Sequence, residues 1–152
     1  MADIRIQSSG AEHDDVYDQY GEKMGVAVYD LGDAQVRANI VKMKDELKAL
    51  GEKYDKLIVD LQKDDRKDEE GMPLSAIPIA ETNLDCVNEM VVLIDKVFGK
   101  DFCINAVGDT KNPNVLWEVI GAVMENYGVK AKDEMSKYTN RAGRRAAAKA
   151  SE

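Results

Sequence analysis

The chain has 152 residues, 44% hydrophobic and 33% charged, with a formal net charge of −8. That length suits one domain with a modest core, and the acidic balance argues against nucleic acid or an anionic membrane surface as a partner of the body. No apolar run reaches the ~20 residues of a membrane-spanning helix, residues 1–5 lack a signal-peptide pattern, and Cys86 and Cys103 sit in apolar patterns as free, buried thiols, which together predict a cytoplasmic protein.

Residues 1–32 read as a short β-ribbon with an acidic loop. Ile4 and Ile6 alternate with Arg5 and Gln7, a half-buried strand pattern. Residues 8–25 are polar and acidic, broken by Gly10, Gly21 and Gly25. Val26-Ala27-Val28-Tyr29 has strand propensity, and Asp30-Leu31-Gly32-Asp33 closes it with turn chemistry. A lone two-stranded ribbon is marginal in water, so it must lean on a helix or on another subunit.

Residues 33–63 form the dominant helix. Asp33 is its N-cap. Val36, Ile40, Met43, Leu47, Leu50, Tyr54, Leu57 and Leu61 alternate in steps of four and three, the seam of a coiled coil. At about 1.5 Å per residue the helix is roughly 45 Å long. Pairs four apart, such as Lys42–Glu46 and Lys56–Asp60, tune it by only ~0.2–0.5 kcal/mol each. The seam is open to two readings: the inner face of an amphipathic helix on its own domain, or a surface for a partner or second copy. Gly51, in mid-helix, marks a bend or a close approach.

Residues 64–81 read as a linker, opening with DDRKDEE and carrying Pro73 and Pro78; the run lacks the loop glycine and ligand spacing of a calcium site. Residues 82–128 form a helical core. Thr82 or Asn83 opens a helix with a stripe at Leu84, Val87, Val91, Ile94 and Phe98, widened by Met90, Val92, Leu93 and Val97. So wide an apolar surface predicts burial on more than one side. Gly99 suits a left-handed C-terminal cap, and Asp101 caps a short apolar turn over residues 102–107 that Gly108 ends. Asn112-Pro113 starts another helix, with Leu116, Ile120, Val123 and Tyr127 on one face, Trp117 and Met124 beside it, and Gly128 at its end. Val91, Ile94, Phe98, Leu116, Trp117 and Ile120 are the expected core. The basic tail begins at residue 129: residues 130–152 hold seven Lys/Arg against three Asp/Glu, a net of +4 that leaves −12 on residues 1–129. The fold class is mainly α: a long heptad-patterned helix and a compact helical C-terminal unit, with a short N-terminal β-ribbon.

Catalytic constellations are scarce. His13 is the single histidine and would have to serve any nucleophile–base pair. Asp14, Asp15 and Asp18 beside it are a surface cluster in preference to a cation site, the cysteines lack zinc spacing, and no phosphate-binding glycine loop is present. No catalytic, cofactor or metal site is expected.

The order of the second half carries a resemblance. A helix ends in Ile94-Asp95-Lys96-Val97-Phe98-Gly99, a capped turn and an aromatic-bearing helix follow, and the tail reads Asn140-Arg141-Ala142-Gly143-Arg144-Arg145-Ala146. With the opening Met1-Ala2-Asp3-Ile4-Arg5-Ile6 and Val28-Tyr29-Asp30 leading into a charged helix, this resembles the tail assembly chaperones of long-tailed bacteriophages, encoded before the tape-measure gene. The similarity covers most of the chain in short patches. Residues 8–25 and 64–80 depart from it, being longer than the family's turns. The resemblance implies a non-enzymatic chaperone in the host bacterial cytoplasm. It would bind and solubilise the tape-measure protein, hand it to the tail-tube protein, and be made in part as a frameshifted longer form. The seam from Val36 to Leu61 is the expected client surface. A self-associating coiled-coil scaffold, a homo-oligomer, is the rival, and a nucleic-acid-associated regulator using residues 141–149 is a weaker third, for no aromatic follows Tyr138 to stack on bases.

Overall fold

The computed structural model describes residues 2–4 and 11–129. In chain order it has β1 (Ala11–Tyr17), β2 (Lys23–Asp30), α1 (Ala34–Gln62), α2 (Ala76–Phe98), α3 (Phe102–Val107) and a further helix, α4, over residues 113–129. The protein is mainly helical with a two-stranded antiparallel ribbon. It divides into two compact units, residues 1–119 and residues 120–152.

The ribbon is not where the apolar alternation at the N-terminus put it. Ile4 lies outside any strand and is 92% exposed, and Ile6 lies outside the described residues. The first strand is instead the acidic segment Ala11–Tyr17, paired with β2 in the register Glu12 with Tyr29, Asp14 with Ala27 and Val16 with Gly25. Ala27 and Tyr29 are buried, and Asp14 is accommodated on this inner face by accepting a hydrogen bond from the Tyr29 hydroxyl at 2.5 Å. His13 and Asp15 point to the exposed face, where Asp15 pairs with Lys23 at 3.2 Å. A polar strand is stable here because its partner supplies the apolar half of the layer.

Gly25 is required by a close approach. A Cβ there would stand 2.0 Å from the Asn105 carbonyl oxygen and 2.8 Å from that of Ala106, so the glycine lets β2 lie directly on α3. Phe98 joins the same core, edge-on to Tyr29 at 6.2 Å and tilted against Phe102 at 4.7 Å.

α1 runs as expected, with the Asp33 carboxylate accepting from the N–H groups of Gln35 and Val36. Its seam is used inside the chain: Ile40, Met43, Leu47, Leu50 and Tyr54 are buried, and α1 packs along α2. Leu57 is 44% exposed, and Val36 and Leu61 are half-buried.

Residues 64–75 form a tight structure in place of a linker. Asp68 accepts from the N–H groups of Glu70 and Met72, Gly71 takes a φ of +85°, and Lys67 bridges to Pro73. Asp18 plays the same part between β1 and β2, accepting from Tyr20 and Glu22 with Gly21 at φ +81°. Both are Asp-x-x-Gly turns, in which the aspartate closes the loop and glycine takes the left-handed position. Arg66 grips Asp64 with two 2.8 Å bonds, which hold that carboxyl down at about 2.

α2 begins at Ala76, six residues before Thr82. Pro78 falls in the first turn, where its missing N–H leaves no bond unmade, and Thr82 donates its hydroxyl back to the Pro78 carbonyl at 2.7 Å. Val87, Met90 and Ile94 are buried, and Val91 and Phe98 are half-buried. Burial is therefore on one side, for Leu84 and Val92 are 42% and 69% exposed. Gly99 ends the helix at φ 126°, ψ 161°, outside the left-handed helical well. Asp101 is itself left-handed at φ 65° and makes no cap bond. The cap of α3 comes from α2: the Asp95 carboxylate accepts from the Cys103 N–H at 2.9 Å. Burial first, and the same carboxylate second, push the Cys103 thiol well above its ordinary range.

α4 opens as its sequence indicates, the Asn112 side chain accepting from the Asn114 N–H at 3.0 Å. In the first unit Leu116 is buried, but Trp117 is 41% exposed and does not belong to the core. It stands about 100° around the helix from Leu116, off the buried stripe. In the second unit, residues 120–129 are helical through Gly128, and Ile120 and Val123 are buried.

Candidate protein-binding cleft

Trp117 has a place in the structure that its apolar neighbours did not suggest. It forms one wall of a cleft of about 290 Å³. α1 contributes Leu47, Gly51, Tyr54, Asp55 and Ile58, α2 contributes Asn83, Cys86 and Met90, and the start of α4 adds Pro113, Asn114 and Trp117. All of these lie in the first unit.

Gly51 forms the open floor. α1 continues through it as helix, and it admits no neighbouring backbone, since nothing lies within 4 Å of where its Cβ would be. The missing side chain leaves that space open.

Tyr54 anchors the opposite wall. It is 6% exposed and hydrogen-bonds to the Glu89 side chain. Burial first, and then that bond and the Glu89 charge, push its phenol up to about 12. Lys53 approaches Glu89 at 3.8 Å and lies 5.1 Å from the Tyr54 ring centre. Cys86 is half-buried, and desolvation followed by the charges of Glu89 and Asp55 raises its thiol. A thiol so held is a poor nucleophile.

Asp55 and Asp85 add to the acidity of this region, and neither forms an ion pair with a described residue. A second, open groove on α2 runs over Asn88, Glu89, Val92 and Leu93.

Of the expected client surface, Leu47 and Tyr54 reach the cleft, while Ile40, Met43 and Leu50 are buried in the body. Leu57 is the most exposed of the eight, and Val36 and Leu61 flank the ends. Among the expected core residues, Ile94, Leu116 and Ile120 are buried, Val91 and Phe98 are half-buried, and Trp117 lines the cleft. Sequence reasoning missed the cleft as a unit. The available signal was the pairing of Gly51 with Ile58 and Asp55 on the flank of the seam, which has meaning only once α4 is placed beside it.

Asp14, Asp15 and Asp18 are each engaged by Tyr29, Lys23 or backbone N–H groups. Among the described residues no group of three His, Cys, Asp or Glu side chains is placed to hold a metal ion. No helix among them is long and apolar enough to cross a membrane. The basic segment at residues 141–149 lies outside the described residues. Comparison with protein-family models, curated proteins and solved structures gives no match to this chain.

Proposed function

We propose that the protein is a non-enzymatic tail assembly chaperone of a long-tailed phage, which binds the tape-measure protein and keeps it soluble in the host bacterial cytoplasm until the tail-tube protein takes it over. The observation that carries the reading is the Trp117 cleft, a partly apolar recess on an acidic body. Such a recess gives a helical client a place to bury a side chain, and net charge of one sign keeps the resulting complex soluble. The resemblance in residues 94–99 and 140–146 adds the identity of the client. The seam contributes differently from the expectation: its middle holds α1 on the body, and the client meets the flank of that seam.

Co-expression with the large helical protein encoded downstream tests the proposal. The expected outcome is a soluble neighbour that co-purifies with this chain. A neighbour that remains insoluble, or is soluble without co-purifying, overturns it.

The second reading is a self-associating scaffold, favoured by the exposure of Leu57 and Val59 at 44% and 53% near the end of α1. Light scattering over a dilution series would then show a stable oligomer that Leu57→Asp dissociates.

A further inference from the structure

We propose that the Trp117 cleft is the docking site for a basic amphipathic helix of the client, which seats one large apolar side chain over Gly51. The inference rests on the chaperone reading and deepens it by naming the chemistry of the segment held.

Size comes first. A volume of about 290 Å³ lies at the bottom of the ~300–1,000 Å³ range of small-molecule pockets. It suits one or two side chains better than a cofactor. The walls are mixed, with Ile58, Pro113 and Trp117 beside Asp55, Asn83 and Asn114, which suits an apolar anchor flanked by polar or charged groups. Trp117, half in solvent beside the Gly51 floor, is the kind of aromatic side chain that dominates protein interfaces when a partner covers it.

Charge then selects the occupant. Asp55 lines the cleft, and Asp85 and Glu89 lie close enough to Tyr54 to act on its phenol. Among the described residues the one cation paired to this group is Lys53, at 3.8 Å from Glu89 and more than half exposed. Asp55 and Asp85 stay uncompensated by the described residues. A second copy of the chain would bring another strongly acidic body to an acidic rim, whereas lysines or arginines flanking an apolar anchor would meet opposite charge. The length of the walls fits a helix, for the cleft follows α1 from Leu47 to Ile58, about 17 Å at ~1.5 Å per residue.

The test uses the full chain and two fluorescent synthetic peptides of about 18 residues, long enough for five helical turns. They share one Leu/Phe face and differ in carrying lysine or glutamate on the other. In anisotropy titrations the lysine peptide should bind roughly tenfold tighter or better, and Gly51→Leu or Trp117→Ala should each weaken it roughly tenfold. A Cβ at Gly51 meets nothing within 4 Å, and Trp117→Ala trims a half-exposed ring, so circular dichroism should be unchanged in both variants. Asp55→Asn with Asp85→Asn should weaken binding and flatten its salt dependence.

Equal binding of the two peptides, or binding indifferent to Gly51→Leu, overturns the inference. Self-association in sedimentation that Trp117→Ala abolishes also overturns it, making a second copy the occupant. Co-expression separates this inference from the reading beneath it. If Gly51→Leu still solubilises the tape-measure neighbour, the cleft assignment fails and the chaperone reading survives. If the wild-type chain does not solubilise it, the chaperone reading fails whatever the peptides do.

Discussion

At the scale of single residues, Tyr54 ties the cleft wall to the stability of the body. Its phenol is held at about 12 against an ordinary value of 10.0, by burial and by its bond to Glu89. A folded-state value raised above the unfolded one contributes stability that is complete below the unfolded value and is lost as pH rises through the folded one. Stability should therefore fall between pH 10 and about 12, the window set by those two values. Urea titrations over that range should show the fall in the wild type and a flatter profile in Tyr54→Phe. Asp64 works in the opposite sense: its value of about 2 means that its pairing with Arg66 is complete at neutral pH and is lost only in strong acid. Asp64 is set by Arg66, two residues along the chain, whereas Tyr54 is set first by burial and then by Glu89 on another helix, which sequence distance conceals.

At the scale of elements, the junction of β2 with α3 depends on the absence of one methyl group. Gly25→Ala would drive a Cβ to 2.0 Å from the Asn105 carbonyl, and that atom is backbone that cannot rotate away. Overpacking of this kind costs typically ~1–3 kcal/mol, and thermal unfolding of Gly25→Ala should show a loss of at least that size. The two Asp-x-x-Gly turns are elements of another sort. Each is built from four consecutive residues, in an acidic context that by itself reads as loop or linker. The capping carboxylates that matter are Asp18, Asp33 and Asp68 for local turns and helix starts, while Asp95 reaches across from α2 to cap α3.

At the scale of the whole molecule, α1 divides into a part that holds the body and a part that remains outside it. Leu47 is fully buried and Leu57 is 44% exposed, although both lie on the same seam. Leu47→Asp buries an unpaired carboxylate and should cost about 4 kcal/mol or more, seen as loss of helicity or early denaturation. Leu57→Asp should change stability by only about 0.5 kcal/mol. Equal losses at the two positions would mean that the far end of α1 is covered as well. The same division makes Leu47 unsuitable for probing client binding, a task that falls to Gly51 and Trp117.

Much of the architecture was legible in the sequence. The span of α1, its Asp33 cap, the Asn112-Pro113 start of α4 and the apolar settings of Cys86 and Cys103 all follow from signals within about four residues, where capping and helical period act. What faces the seam does not. A repeat of 3.5 drifts by only ~20° per heptad from that of a straight helix, so over the two heptads from Ile40 to Tyr54 a stripe buried by α2 and one reserved for a partner look alike. The acidic strand β1 was equally out of reach, because its stability comes from Ala27 and Tyr29 across the ribbon and not from its own side chains. Tertiary packing alone decided that Trp117 turns outward and that Gly51 leaves a recess. Both follow from three helices meeting along lines fixed by residues tens of positions apart, and no local pattern carries that information.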